Sequence, residues 1–199
     1  MKNLIIVTVL IILFNCIAFL FWHFEWQYNL PTPLPANIKV VHVGDKIELN
    51  FNTGKQNNKP TFLHFFNPNC PCSKFNLPHF KALVKKYQAS INFYIIISNN
   101  NSTDAAEYLQ KKLGVTIPII IDSSIAKNCG VYSTPQAVLL TNNNLLYYKG
   151  NYNRSRYCTD QKSNYAQIAI QSLLSDIPNP NFNQSALIAY GCTMPVCKK

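Results

Sequence analysis

The stretch Thr61–Phe80, TFLHFFNPNCPCSKFNLPHF, constrains this chain more than any other. Phe62 to Phe66 is an apolar, aromatic run that reads as a buried strand. It stops at Asn67-Pro68-Asn69, a turn composition. Cys70-Pro71-Cys72 follows, and Phe80, Leu83, Val84 and Tyr87 then recur at helical spacing. Strand, tight turn and helix in that order set two sulfurs at a helix N-terminus. Backbone N–H groups and the helix dipole stabilise a thiolate there, and a thiolate is the nucleophile of thiol–disulfide exchange. The reading requires Cys70 to be held at the head of that helix and to be reachable from outside.

Upstream, Leu4 to Trp22 is a run of apolar composition without a charge. At 1.5 Å per residue it reaches roughly 28 Å, the thickness of a bilayer core. Lys2 precedes it and Glu25 follows, so the positive-inside rule places the N-terminus in the cytoplasm and the rest of the chain outside. The run ends in bulky aromatic residues rather than at a small-residue cleavage site, and Trp22, Trp26 and Tyr28 have the composition of an interfacial belt. It reads as an uncleaved signal-anchor over residues 1–28, with Cys16 an ordinary buried thiol. Pro31, Pro33 and Pro35 make residues 29–37 a stiff linker that lifts the next domain off the membrane.

Ile38 to Val43 and Ile47 to Phe51 read as two short strands joined at Gly44-Asp45, an N-terminal hairpin, before a polar loop from Thr53 to Lys59. After the cysteine helix, Ile91 to Ser98 reads as a buried strand. A helix then carries Ala105, Tyr108, Leu109 and Leu113 on one face, capped by Ser102 or Thr103 and stopped by Gly114. Ile117 to Ile121 is the next strand, and Ser123 to Cys129 is short and helical. Gln136 to Thr141 and Leu145 to Lys149 form a hairpin, and Asn164 to Ile177 is the last helix. Strand–helix alternation followed by a hairpin predicts an α/β domain over residues 38–177, with a mixed central sheet flanked by helices. Residues 178–199 form a cysteine-containing tail, in which Ala186 to Tyr190 is a short strand or a turn of helix.

Net charge is +10, but the basic residues are mostly lysines spread along the chain, and only Arg154 and Arg156 are arginines. Nucleic-acid binding calls for clustered arginine among aromatics, so that class is set aside. Seven cysteines in a chain with an export signal point to an oxidising compartment, and six of them lie beyond the anchor: Cys70, Cys72, Cys129, Cys158, Cys192 and Cys197.

The order of elements, with its cysteine-rich turn after the first central strand, resembles the thioredoxin fold. Three features carry the resemblance to membrane-anchored, extracytoplasmic thiol–disulfide oxidoreductases of bacteria, the TlpA/ResA type. Phe65-Phe66-Asn67-Pro68-Asn69-Cys70 stands where that family has its strand, turn and first cysteine. Leu77-Pro78 stands at its helix proline, and Ser133-Thr134-Pro135 stands at its cis-proline. The resemblance implies a single-pass inner-membrane protein with a periplasmic domain, acting on thiols and disulfides of exported proteins and serviced by a membrane or periplasmic redox partner. Cys70, Cys72 and Pro135 would be its catalytic residues and Thr134 with Pro135 its substrate-binding residues. No cofactor and no resident metal are implied.

The sequence departs from that family where Cys70-Pro71-Cys72-Ser73 replaces Cys-x-x-Cys, so that Ser73 occupies the position of the second cysteine. Either Cys70 attacks and Cys72 resolves, through a tight Cys-x-Cys ring, or a distant cysteine resolves as in monothiol glutaredoxins. Cys192 and Cys197 read as a structural disulfide, with a relay pair or, together with Met194, a soft metal site as alternatives. Cys129 and Cys158 read as a stabilising bridge, with a resolving role for Cys129 as the alternative. His64 either tunes the cysteines or packs in the core. Arg154 and Arg156 read as loop packing rather than a ligand site. The competing activities are a copper-binding metallochaperone and a thiol peroxidase. The first lacks a histidine after His79, and the second lacks the hydroxyl residue spaced upstream of Cys70.

Overall fold

The computed structural model describes residues 1–51, 58–98, 103–178 and 180–194. Helix α1, Lys2–Phe21, has no buried residue. It runs on through a π-helical turn, Trp22–Trp26, into the short α2, Gln27–Asn29. Lys2–Trp26 is long and apolar enough to cross a membrane. A helix apolar all round and with no buried residue over Lys2–Phe21 suits lipid rather than water.

Strand β1, Thr61–Phe66, is the centre of the domain and is buried along its whole length. Helix α3, Pro71–Tyr87, follows, and then β2, Asn92–Ile97, and α4, Thr103–Leu113. Next come β3, Ile119–Ile121, α5, Ser123–Asn128, and the two-residue β4, Ser133–Thr134. Strands β5, Gln136–Leu140, and β6, Leu146–Gly150, form the hairpin. Helix α6, Tyr165–Leu174, then leads to α7, Gln184–Leu187, and to β7, Cys192–Thr193.

The sheet order is β3-β2-β1-β5-β6, with β4 and β7 as a separate pair. Strand β1 runs parallel to β2, Phe62 opposite Phe93, and antiparallel to β5, Phe62 opposite Leu139. Alternation along β1 divides the core. Phe62 and Phe66 pack with Phe80 of α3, Leu109 of α4 and Ile170 of α6 on one face, whereas Leu63 and Phe65 pack with Ile125 of α5 and Ile47 on the other. This is a mixed sheet flanked by helices in a thioredoxin-like arrangement, and it stands the head of α3 beside β4.

Two expectations change. Residues 38–51 do not pair with themselves as a hairpin. The turn at Gly44-Asp45 does form, with the His42 N–H donating to the Asp45 carboxylate at 2.8 Å. The flanking backbone bonds instead to the end of the β5–β6 hairpin: Gly44 N–H to Leu146 O at 2.8 Å and Ile47 N–H to Asn144 O at 2.9 Å. Those edge groups need partners, and this segment supplies them. The proline linker, for its part, does not stand clear of the domain. Pro31 bridges Tyr190, and the Thr32 N–H donates to Ala189 O at 2.8 Å. The polar loop from Thr53 to Lys59 lies largely outside the described residues, as does Ser102.

His64, on β1, faces the aromatic layer. It stacks on Phe80 at 4.2 Å between ring centroids, and its Nδ1 lies 2.7 Å from the Tyr152 hydroxyl. Nε2 has no partner, and burial pushes the imidazole down to about 3. His64 is therefore a core residue packed among aromatic rings. The folded protein keeps it neutral, whereas the unfolded chain protonates it near 6.5. Its contribution is complete above pH 6.5 and is lost as pH falls from 6.5 towards 3, at up to about 1.4 kcal/mol per pH unit. Denaturant titrations between pH 7 and pH 4.5 should show that slope, and His64→Gln should flatten it. An unchanged slope would assign the acid sensitivity elsewhere, for example to His79, which burial also lowers.

Candidate active site

The turn that delivers Cys70 is built from its own side chains. The Asn69 N–H donates to Asn67 Oδ1 at 2.9 Å, and the Cys70 N–H to Asn67 O at 3.0 Å. Ser73, at the position of the missing second cysteine, is buried and accepts the Asn67 N–H at 3.3 Å. It braces the turn. Cys70 is the N-cap of α3 in extended conformation, and Pro71 opens the helix, where a missing N–H costs nothing. The Thr134–Pro135 peptide is cis, as the sequence suggested. The Cys70 sulfur lies 3.4 Å from the Thr134 carbonyl oxygen.

Cys70 is not open to solvent. It is 0% exposed and joined in a disulfide to Cys192, 122 residues away, with the two Cα atoms 6.0 Å apart. This corrects two expectations at once: Cys192 is not paired with Cys197, and Cys70 is covered rather than reachable. The cover is β7. It pairs antiparallel with β4, Thr134 opposite Cys192 and Ser133 opposite Thr193. The Met194 N–H extends the ladder to Tyr132 O at 2.9 Å. Thr32 Oγ1 donates to Gly191 O at 3.2 Å and Ser133 Oγ to Tyr190 O at 3.3 Å, so linker and β4 grip the tail from both sides. Cys197 lies outside the described residues. The tail metal site loses Cys192, whose sulfur is committed to Cys70.

Gly191 is what allows so close an approach. Its φ is +128°, and a Cβ there would stand 2.2 Å from Thr134 O. Gly191→Ala should therefore push the tail off β4 and destabilise the protein by roughly 1–3 kcal/mol. A thermal midpoint equal to wild type would show that the tail is not seated so closely.

Cys72, a thiol one residue inside α3, packs with Cys70 and Cys192 in a cluster of three sulfurs, with Tyr28 against them. Cys129 and Cys158 are not bridged. They sit on opposite faces of the sheet, Cys129 among the residues around α5 and Cys158 against the aromatic face, its thiol donating to Asn76 Oδ1 at 3.3 Å. Burial pushes each up to about 12, for Cys129 against the opposing pull of Lys149 and Lys39. Neither is a thiolate near neutral pH, which removes the basis for Cys129 as a resolving residue.

A cavity of about 390 Å³ opens beside the sulfurs, lined by Cys72, Asn76, Pro135, Tyr152, Arg156 and Cys158 among others. Arg156 closes one side. Its guanidinium donates to Phe24 O at 2.6 Å and to Glu25 Oε1 at 2.9 Å, and it lies 4.8 Å from the centroid of the Tyr28 ring. Burial lowers its pKa, but the Tyr157 hydrogen bond and Coulombic attraction, to the Glu25 carboxylate among others, outweigh this and raise it. The arginine read as loop packing thus ties the end of the apolar helix to the wall of the site.

The family model for a domain of unknown function, DUF6436, matches residues 39–196. The chain belongs to the DUF6436 family. The matched span takes in every cysteine of the sulfur cluster. A search of curated proteins finds no match for this DUF6436 chain. Among solved structures, it is similar to a hypothetical protein of Sinorhizobium meliloti 1021, at 18% identity and a TM-score of 0.61, over 78% of this chain and 95% of the other. It is likewise similar to an uncharacterized conserved protein of Geobacillus kaustophilus, at 20% identity and a TM-score of 0.59, over 69% and 77%. A thioredoxin-family thiol:disulfide interchange protein of Chlorobium tepidum TLS matches at 18% identity and a TM-score of 0.48, over 72% and 97%. At these identities the likeness to the first two is one of fold.

Sequence reasoning placed Cys70, Cys72, Thr134 and Pro135 together, and they are together. It missed Thr32, Ser133 and Gly191, the residues that seat the tail. The one signal for them was a glycine directly before Cys192.

Proposed function

We propose that this protein is a membrane-anchored thiol–disulfide oxidoreductase with Cys70 as its nucleophile. The observation that carries the reading is the disulfide between Cys70, at the head of α3, and Cys192, on a strand laid along β4. A sulfur at a helix N-terminus makes a good attacking thiolate and a good leaving group. The strand geometry around Cys192 is that of a peptide held for exchange, with backbone bonds to β4 giving affinity without reading side chains. The resemblance to the TlpA/ResA type favours exported proteins as the source of substrate thiols and disulfides, and a membrane or periplasmic redox partner to reset the centre. The apolar helix and the Lys2–Glu25 charge order favour a cytoplasmic N-terminus and an extracytoplasmic domain.

The full chain in detergent micelles, first reduced and freed of reductant, should open a small disulfide peptide much faster than an equal concentration of a simple thiol does. A rate no faster than the simple thiol would contradict the proposal.

A further inference from the structure

We propose that the tail is a latch released by a shuffle within the sulfur cluster: Cys72 displaces Cys192 from Cys70, and Gly191–Met194 then leaves β4. The inference rests on the exchange reading above and adds a role for Cys72 and for the tail.

Three observations support it. Cys72 is a buried thiol two residues from Cys70, packed in one cluster with both members of the Cys70–Cys192 bond. Arg156 and Cys72 line one cavity, so a thiolate formed at Cys72 and the guanidinium would attract each other. The tail fills the edge of β4 and buries Cys70, so no second chain can use either while the latch is closed. A site closed by its own disulfide needs a way to open, and here the opening thiol is built in.

The step balances without an outside reductant. Cys72 loses its proton to solvent, and its sulfur attacks Cys70 Sγ. The Cys70–Cys72 bond forms as the Cys70–Cys192 bond breaks. The Cys192 sulfur leaves with the electron pair and takes up one proton. One disulfide and one thiol are present before and after. What changes is the tail: Cys192 is no longer bonded to the head of α3, and the non-covalent contacts that remain include the short ladder from Tyr132 to Thr134 and the Thr32 hydrogen bond. Once it lifts, the edge of β4 is open to an extended, cysteine-bearing strand of another protein, with a small residue before the cysteine where Gly191 now lies against Thr134.

The test is a trapping experiment on the oxidised full chain in detergent, with a maleimide and no reductant, followed by peptide mapping. The expected product carries the label on Cys192 and a Cys70–Cys72 disulfide. Cys72→Ser should slow labelling of Cys192 by at least about tenfold, since no neighbouring thiolate remains to attack. Gly191→Ala should speed it in the protein that keeps Cys72. Label on Cys72 with the Cys70–Cys192 bond intact, or a Cys72–Cys192 disulfide, would overturn the proposal, and so would labelling of Cys192 at an equal rate in Cys72→Ser. The exchange reading is tested separately, because peptide opening by the fully reduced chain depends on Cys70 and not on the latch.

Discussion

Cys70→Ser should bring disulfide exchange by the reduced protein down to the uncatalysed rate, a fall of at least about a hundredfold. Among the described cysteines outside α1, only those of the sulfur cluster combine position and chemistry for attack. Cys129 and Cys158 are held up at about 12 by burial, so Cys129→Ser and Cys158→Ser should leave the rate close to wild type. Initial rates of peptide opening on the three variants check this directly. Retained turnover in Cys70→Ser, or its loss in Cys129→Ser, would move the nucleophile elsewhere.

Breaking the Cys70–Cys192 bond should lower the thermal midpoint by roughly 10–20 °C. The bond spans 122 residues, nearly the whole domain. Loop-closure entropy for a span of that size is about 5 kcal/mol at 25 °C. It ties the tail to the central turn, two regions otherwise joined by few backbone bonds. Calorimetry on Cys192→Ser, or on wild type with and without reductant, reads the effect. A shift of only a degree or two would mean that the tail is not covalently closed in the protein as isolated. The same measurement in acid separates this effect from that of His64, whose loss of stability sets in only below pH 6.5.

Local pattern carried most of the fold. The strand over Phe62–Phe66, the helix beginning at Pro71 and the β5–β6 hairpin could each be read from their own residues, because apolar periodicity and turn chemistry act over a few positions. The segment 38–51 could not. Its alternation is that of a strand, but whether such a segment pairs with itself or with a distant edge depends on which edge is left open, here that of residues 144–146. Disulfide partners were hidden for the same reason. Cys192 and Cys197 are near in sequence, yet what decides the bond is that β7 crosses the head of α3, a long-range event that spacing does not encode. Arg156 was misread because its partners, Phe24 and Glu25, lie more than a hundred residues upstream.

The most direct test of the account is the disulfide map of the natively oxidised full chain, cut without reduction. A peptide joining Cys70 to Cys192 is expected, with Cys129 and Cys158 recovered as thiols. Recovery of Cys70 as a thiol, beside a Cys192–Cys197 or a Cys129–Cys158 link, would contradict it.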